Sequence, residues 1–228
     1  MTQGISQDGV FVARQAFVLA SGSPRRRELL ASAGLTFTVA ASDCEEPAPM
    51  AGESPAAYAV RMACDKACDV AARFPEAVVL GADTVVALGG RIMGKPVDAA
   101  DARAMLGALC GGWAQGMSRD AAVRTHEVVT GCCLLLPGGA ARPDDASLAA
   151  RWATSTEVDM GLQAEAVIAA YVATGEPMDK AGAYAIQGQG AFLVRGVRGS
   201  YTNVVGLPLA RVLEVLQEWR VVVPRRRV

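Results

Sequence analysis

One histidine, His126, and no Cys-x-x-Cys pair occur among the 228 residues of this chain. Structural zinc sites draw on closely spaced cysteine and histidine ligands, so this scarcity argues against one. The six cysteines, Cys44, Cys64, Cys68, Cys110, Cys132 and Cys133, read mostly as small buried apolar residues in a reducing compartment, the cytoplasm. An excess of either charge is missing as well: 22 basic residues face 23 acidic ones, a net charge of −1. No global field draws such a chain to nucleic acid, and any basic residue that matters must act locally. The compact run Arg225 to Arg227 reads as a solvated basic tail over residues 221–228. No stretch approaches the ~20 apolar residues of a membrane helix, so no membrane partner is expected. Residues 1–15 lack the apolar centre of a signal peptide and read as a loose extension. Internal repeats, low-complexity tracts and a clean interdomain linker are absent too, which leaves a single domain over residues 16–220.

What is there has the composition of a globular chain, 52% hydrophobic and 20% charged. Ala16 to Ala20 is an apolar run predicted as a buried strand. Ser23 and Pro24 then suit the cap and first position of a helix that Gly34 ends. Thr36 to Ala41 is predicted as a second strand, and Ser54-Pro55 opens a long helix to about Phe74. Ala77 to Leu80 is a strand running into Gly81-Ala82-Asp83-Thr84, and Val85 to Leu88 continues extended. Asp98 caps a helix through about Leu109. The aperiodic stretch 112–123 reads as an inserted loop. Strands follow over Arg124 to Leu136 and Arg151 to Met160, then a helix over Gln163 to Ala173. Pro177 to Gly190 is irregular, Ala191 to Val197 a strand, and Leu207 to Trp219 the closing helix. This alternation, with strands clustered late, predicts a mixed α/β sheet flanked by helices.

Four segments carry residues suited to chemistry. Ser21-Gly22-Ser23-Pro24-Arg25-Arg26-Arg27 lies where a strand ends and a helix begins. Free N–H groups, hydroxyls and guanidinium groups suit phosphate there, although a capped helix with a solvated arginine face is an equal reading. Asp83, at the end of an apolar strand, suits Mg²⁺ binding or water activation; the alternative is a turn or capping aspartate. Lys95, in the following Gly94-Lys95-Pro96 loop, suits phosphate. Glu45 and Glu46 suit a divalent metal site shared with Asp83, or are merely solvated. Lys66 has the same ambiguity. In the segment Glu176 to Gly188, small residues allow close approach of a ligand, and the Gln187 amide suits a base edge.

The segments LASGSPRRRELL (Leu19–Leu30), GADTVV (Gly81–Val86), GKP (Gly94–Pro96), RTHEVVTG (Arg124–Gly131), EPMDKAGAYAIQG (Glu176–Gly188) and VVGLPL (Val204–Leu209) occur in this order. Each is weak alone. As an ordered set they closely resemble the Maf family of nucleoside triphosphate pyrophosphatases, over nearly the whole chain. The resemblance implies an elongated central mixed sheet flanked by helices, with two lobes around a cleft, as in Maf and inosine triphosphatase-like proteins. It implies hydrolysis of a nucleoside triphosphate to monophosphate and pyrophosphate with Mg²⁺ or Mn²⁺. The family's catalytic acid maps to Asp83, its metal-side glutamate to Glu46 and its functional lysines to Lys66 and Lys95. Ser21, Ser23, Arg25 and Arg26 fall in its phosphate-recognising loop. Arg25, Thr84 and Gln187 match the branch that takes dTTP and UTP; 7-methyl-GTP, or a non-catalytic nucleotide-binding role linked to cell division, are the alternatives. A homodimer is left open. Two departures stand out: Ala185 replaces the family's usual glycine, and residues 112–123 interrupt the approach to the Arg124-Thr125-His126 motif.

Overall fold

The apolar run Phe17–Ala20 is buried along its whole length and forms an inner strand of a computed structural model that describes residues 9–114, 117, 123–138 and 148–225. In chain order the elements are β1 (Phe11–Ala13), β2 (Phe17–Ala20), α1 (Pro24–Ser32), β3 (Thr38–Val39), α2 (Pro55–Arg73), β4 (Val78–Leu88), β5 (Arg91–Met93), α3 (Ala99–Cys110), β6 (Val123–Leu135) and β7 (Leu148–Gly161). There follow α4 (Glu165–Ala173), three 3₁₀ turns between Glu176 and Leu193, β8 (Val194–Arg198), α5 (Tyr201–Val205), α6 (Leu209–Glu218) and β9 (Val222–Pro224). Most of the stretch 112–123, predicted as an inserted loop, lies outside the described residues, as do residues 1–8 of the extension and Arg226 and Arg227 of the basic run.

The main sheet runs β3-β2-β4-β6-β7-β8, with β5 added to β4. β2 is parallel to β3 and β4, while β4, β6, β7 and β8 are antiparallel, so the sheet is mixed as predicted. Its spine is long. The 14 residues of β7 would span about 45 Å at the usual rise per residue. Asp83 lies inside one continuous 11-residue strand rather than in a turn, because β6 pairs with β4 without a break from Val79 to Ala87.

Strand alternation sends side chains to two faces. On one face Leu19, Leu80 and Leu134 pack with Leu30 of α1 and Val212 and Leu216 of α6. Farther along the same face Val86, Val128 and Met160 pack with α3, α4 and the 3₁₀ region. These two cores make two lobes at the ends of the long strands. The opposite face takes α2, whose Ala63, Ala67 and Val70 meet Val18, Val79 and Cys133. Each fully buried leucine contributes about 1.5–3 kcal/mol from burial. The helix sits on the sheet without intervening side chains. A Cβ at Gly81 would lie 2.2 Å from the Ala63 carbonyl oxygen, and one at Gly131 2.2 Å from the Ala59 carbonyl carbon. Cys132 joins one core and Cys133 the other, as neighbours on a strand must.

Two expectations are corrected. The segment read as a loose extension contains β1, which pairs antiparallel with β9. The segment read as a tail begins with Val221 and Val222, both buried against Leu216 and Leu35. Apolar contact across the chain ends outweighs the polar character of their flanks. The strand predicted over Thr36 to Ala41 shortens to β3, and the one from Ala191 starts at Val194, because the last 3₁₀ turn runs through Leu193. Among the described residues no helix is long and apolar enough to cross a membrane.

Candidate active site

The cleft opens at a gap in one edge of β4. β2 pairs with β4 as far as Gly81, and β5 pairs with it from Val86 onward. On that edge Ala82 to Val85 face no strand, and a cavity of about 700 Å³ lies there. That is the size of an ordinary small-ligand site. One wall is the loop after β2, including Ser21, Ser23, Arg25 and Arg26; the other is Tyr184 to Gln187 from the second lobe. Glu46, Lys66, Asp83, Thr84 and Lys95 complete it, so every sequence-predicted site residue lines one cavity. Glu45, the alternative to Glu46, does not line it.

Asp83 and Thr84 are neighbours on β4 and point to opposite faces. Asp83 turns toward α2, where Lys66 Nζ donates to its Oδ1 at 2.6 Å. The same ammonium donates to Glu46 Oε1 at 2.6 Å. Lys95 Nζ stands 3.9 Å from Glu46 Oε2. Two carboxylates thus flank one lysine at the floor of the cleft. Burial works against the charge on Lys66, but Asp83 and Glu46 outweigh it and hold its pKa above the ordinary lysine value. Burial likewise opposes the charge on Glu46, and Lys66 overrides it, so its pKa lies below the usual carboxylate range. The position of Lys66 follows from the seating of α2: Tyr58, Met62 and Lys66 recur every four residues on one face, and Tyr58 also lines the cavity.

Thr84 turns to the other face and meets Arg26. The two readings of the arginine run separate here, since Arg26 is buried while Arg27 is exposed. Its Nε donates to the Gly206 carbonyl at 2.8 Å, Nη1 to Ser21 Oγ at 3.0 Å and the Ala82 carbonyl at 2.8 Å, and Nη2 to Thr84 Oγ1 at 2.9 Å. Arg26 therefore ties β2, β4 and α5 together behind the cleft. Burial lowers its pKa, and the charge of Asp83 opposes that shift. Thr84 Oγ1 also bonds Thr130 Oγ1 at 2.9 Å across the β4–β6 pair. Ser23 caps α1 without a side-chain hydrogen bond, and Arg25 is half-buried.

On the second lobe Ala185 is buried, and its φ lies outside the left-handed region; among the described non-glycine residues only Ala183 and Arg220 enter it. The methyl group in place of the family glycine therefore meets no backbone conflict. Asp179 and Lys180 also line the cavity, with Lys180 Nζ 2.5 Å from Asp179 Oδ1. Reading the sequence passed over both, although they lie in the same motif as Gln187. Their signal was a charged pair in a segment otherwise made of small and apolar residues. Among the described residues no group of three or more histidine, cysteine or acidic side chains converges as a metal cage.

The cleft at the strand edge thus has a serine–arginine loop as one wall and an acid–lysine–acid chain on its floor. The profile of the family described as Maf-like protein matches residues 16–219, and the chain belongs to that family. It is 50% identical over 217 residues to the dTTP/UTP pyrophosphatase of Oleidesulfovibrio alaskensis, covering 95% of this chain and 91% of that one. It is 51% identical to the dTTP/UTP pyrophosphatase of Geobacter sulfurreducens, covering 88% of this chain and 94% of that one. With the protein of the same description from Myxococcus xanthus it shares 47% identity over 92% of this chain and 95% of that one.

Proposed function

We propose that this protein hydrolyses dTTP and UTP to the nucleoside monophosphate and pyrophosphate, with water attacking the α-phosphorus. The observation that carries the reading is the Glu46–Lys66–Asp83 chain beside the serine–arginine loop in one cleft. In this reading the first-turn N–H groups of α1, the free Ser23 hydroxyl and the Arg25 guanidinium hold the phosphates. Lys66 and Lys95 bring further positive charge, without which a triphosphate could not be held in a partly desolvated cleft. Arg26 supports the loop and adds its charge from behind. Lys66 occupies Asp83 Oδ1, which leaves Oδ2 to orient the attacking water and accept its proton or, with a divalent cation bound, to serve as its ligand. Pyrophosphate leaves toward the basic loop, which stabilises the developing charge. Gln187 reads the base: an amide offers a donor and an acceptor to the carbonyl and N3–H edge of uracil or thymine.

Asp83 and Glu46 are hard oxygen donors of the kind that Mg²⁺ or Mn²⁺ takes, in small number, beside substrate phosphates; one oxygen of each is held by Lys66, which leaves Asp83 Oδ2 and Glu46 Oε2 as the oxygens that suit such a cation. Asp83 and Glu46 would hold it, and its chemistry there is to polarise a phosphoryl oxygen and acidify water. Six free cysteines suit a reducing, cytoplasmic setting. The test is pyrophosphate release from dTTP, UTP, CTP, dATP, GTP and 7-methyl-GTP with Mg²⁺ or Mn²⁺. The expected result is the highest kcat/KM for dTTP and UTP, and a loss in Asp83→Asn of about 10²-fold or more. A leading purine nucleotide would overturn the base reading, and near-normal turnover in Asp83→Asn the mechanism.

A further inference from the structure

Gln187 lines the cleft from the short link between two 3₁₀ turns, Ala181–Ala183 and Gly188–Leu193, and base selection requires its amide to be held still. The hydrogen bonds on both sides of it lead to one carboxylate. Beyond Gln187, the Gln189 N–H donates to Glu176 Oε2 at 2.9 Å and the Gly190 N–H to Glu176 Oε1 at 2.8 Å. Before it, the Ala185 N–H donates to the Tyr171 hydroxyl at 3.3 Å, and that hydroxyl donates to Glu176 Oε1 at 2.9 Å. Glu176 is itself anchored. Its N–H donates to Thr174 Oγ1 at 3.2 Å, and its carbonyl accepts from Lys180 Nζ at 2.6 Å. Burial opposes its charge, but the two N–H groups and the hydroxyl outweigh it, so its pKa lies below the usual carboxylate range.

The glycines of the turn are cut to the same fixture. Gly188 has φ +78°, and a Cβ there would lie 2.7 Å from Glu176 Oε2. A Cβ at Gly190 would lie 2.3 Å from the Tyr171 hydroxyl oxygen. The left-handed φ at Gly188 favours glycine, and at Gly190 a side chain would also strike the Ala185 carbonyl oxygen at 2.8 Å, so these two positions suit the close approach of the turn to Glu176 and Tyr171.

We infer that Glu176 is a positioning residue for base selection: by accepting hydrogen bonds from Gln189, Gly190 and Tyr171 it holds the turn that presents Gln187 to the cleft. This role rests on the reading that Gln187 contacts the base. Glu176→Gln keeps the shape but turns one acceptor into a donor, which then faces an N–H group that also donates. The turn loosens and Gln187 loses its fixed direction, while the phosphate side of the cleft is untouched.

UTP and CTP separate the possibilities, because they carry the same triphosphate and differ at the base edge. The experiment measures kcat and KM for both nucleotides in the wild type, Glu176→Gln, Gln187→Ala and the double variant. Expected for Glu176→Gln is a fall of about tenfold or more in the UTP-over-CTP preference, carried mainly by KM for UTP. In the double variant the preference should be no lower than in Gln187→Ala alone, because the two residues act as one unit. A merely structural role would lower kcat for both nucleotides alike and leave the ratio unchanged; that result overturns the proposal, as does an additive double variant. If Gln187→Ala removes the preference and Glu176→Gln does not, the role of Glu176 alone falls. If Gln187→Ala leaves the preference intact, the base-contact reading fails and the role of Glu176 with it. Should Glu176→Gln not be recovered folded, Tyr171→Phe removes one of the three bonds and is expected to shift the ratio in the same direction.

Discussion

At the scale of single residues, the chemistry of Asp83 on a strand, Glu46 in a loop and Lys66 on a helix was legible as residue types, and their convergence was not. Nothing in a sequence says that Lys66, 17 positions before Asp83, sits over it; that depends on how α2 lies across the sheet. The arginine run is a second case. Arg25, Arg26 and Arg27 are chemically identical, and only the way α1 lies against Ala82, Thr84 and Gly206 selects the middle one for burial. The lone histidine is a third. His126 is buried, and its Nε2 lies 2.8 Å from the Tyr184 hydroxyl. Burial lowers its pKa to about 4, against the weaker opposing pull of Asp159. A depressed histidine pKa means that the unfolded chain binds a proton that the native protein refuses. Stability is therefore full above the unfolded value near 6.5 and falls as the pH drops from there toward 4. Between pH 7.5 and 5 the loss from this group should reach about 2 kcal/mol. Denaturant unfolding at both pH values should show it, and His126→Gln should flatten the slope; an equal slope in the variant would assign the effect elsewhere.

Among elements, the longer ones could be read from periodicity and capping. Ser54 accepts from the Ala57 N–H and Asp98 from the Asp101 N–H, as their positions before helices predicted. The short ones could not. β5, α5 and β1 hold three to five residues each, too few to establish a period. The interlock of α2 with the sheet was also hidden, because Ala59, Ala63 and Ala67 read only as good helix formers. Its consequence is steric. Gly131→Ala places a methyl group 2.2 Å from the Ala59 carbonyl carbon, which is backbone and cannot swing aside. The helix must lift, at an expected cost of about 2–4 kcal/mol. Thermal unfolding should show a drop of about 4–16 °C for a chain of this size. Activity of the folded fraction should fall too, since Lys66 moves with the helix. An unchanged Tm would mean that the contact is looser than the structure has it.

For the whole molecule, the α/β class and the mixed sheet followed from the order of strands and helices, whereas closure of the two chain ends did not. β1 and β9 come from opposite ends of the sequence, and neither carries a pattern that points to the other. Removing residues 221–228 takes Val221 and Val222 from the first core and leaves β1 without its partner. The expected loss is about 3–6 kcal/mol from the two buried valines. It should appear as a lower Tm or poor recovery of soluble protein; a truncated chain of normal stability would return the segment to the status of a tail.

The interrupted edge of β4 has a consequence for self-association. A bare strand edge invites pairing by a foreign strand, the first step of many aggregates. Here the unpaired length is only Ala82 to Val85, bounded by β2 on one side and β5 on the other, too short for an incoming strand to gain a stable register. The Ala82 carbonyl, one of the acceptors an intruder would need, is already occupied by Arg26. The gap at which the cleft opens is thus guarded against other chains by its shortness and by Arg26.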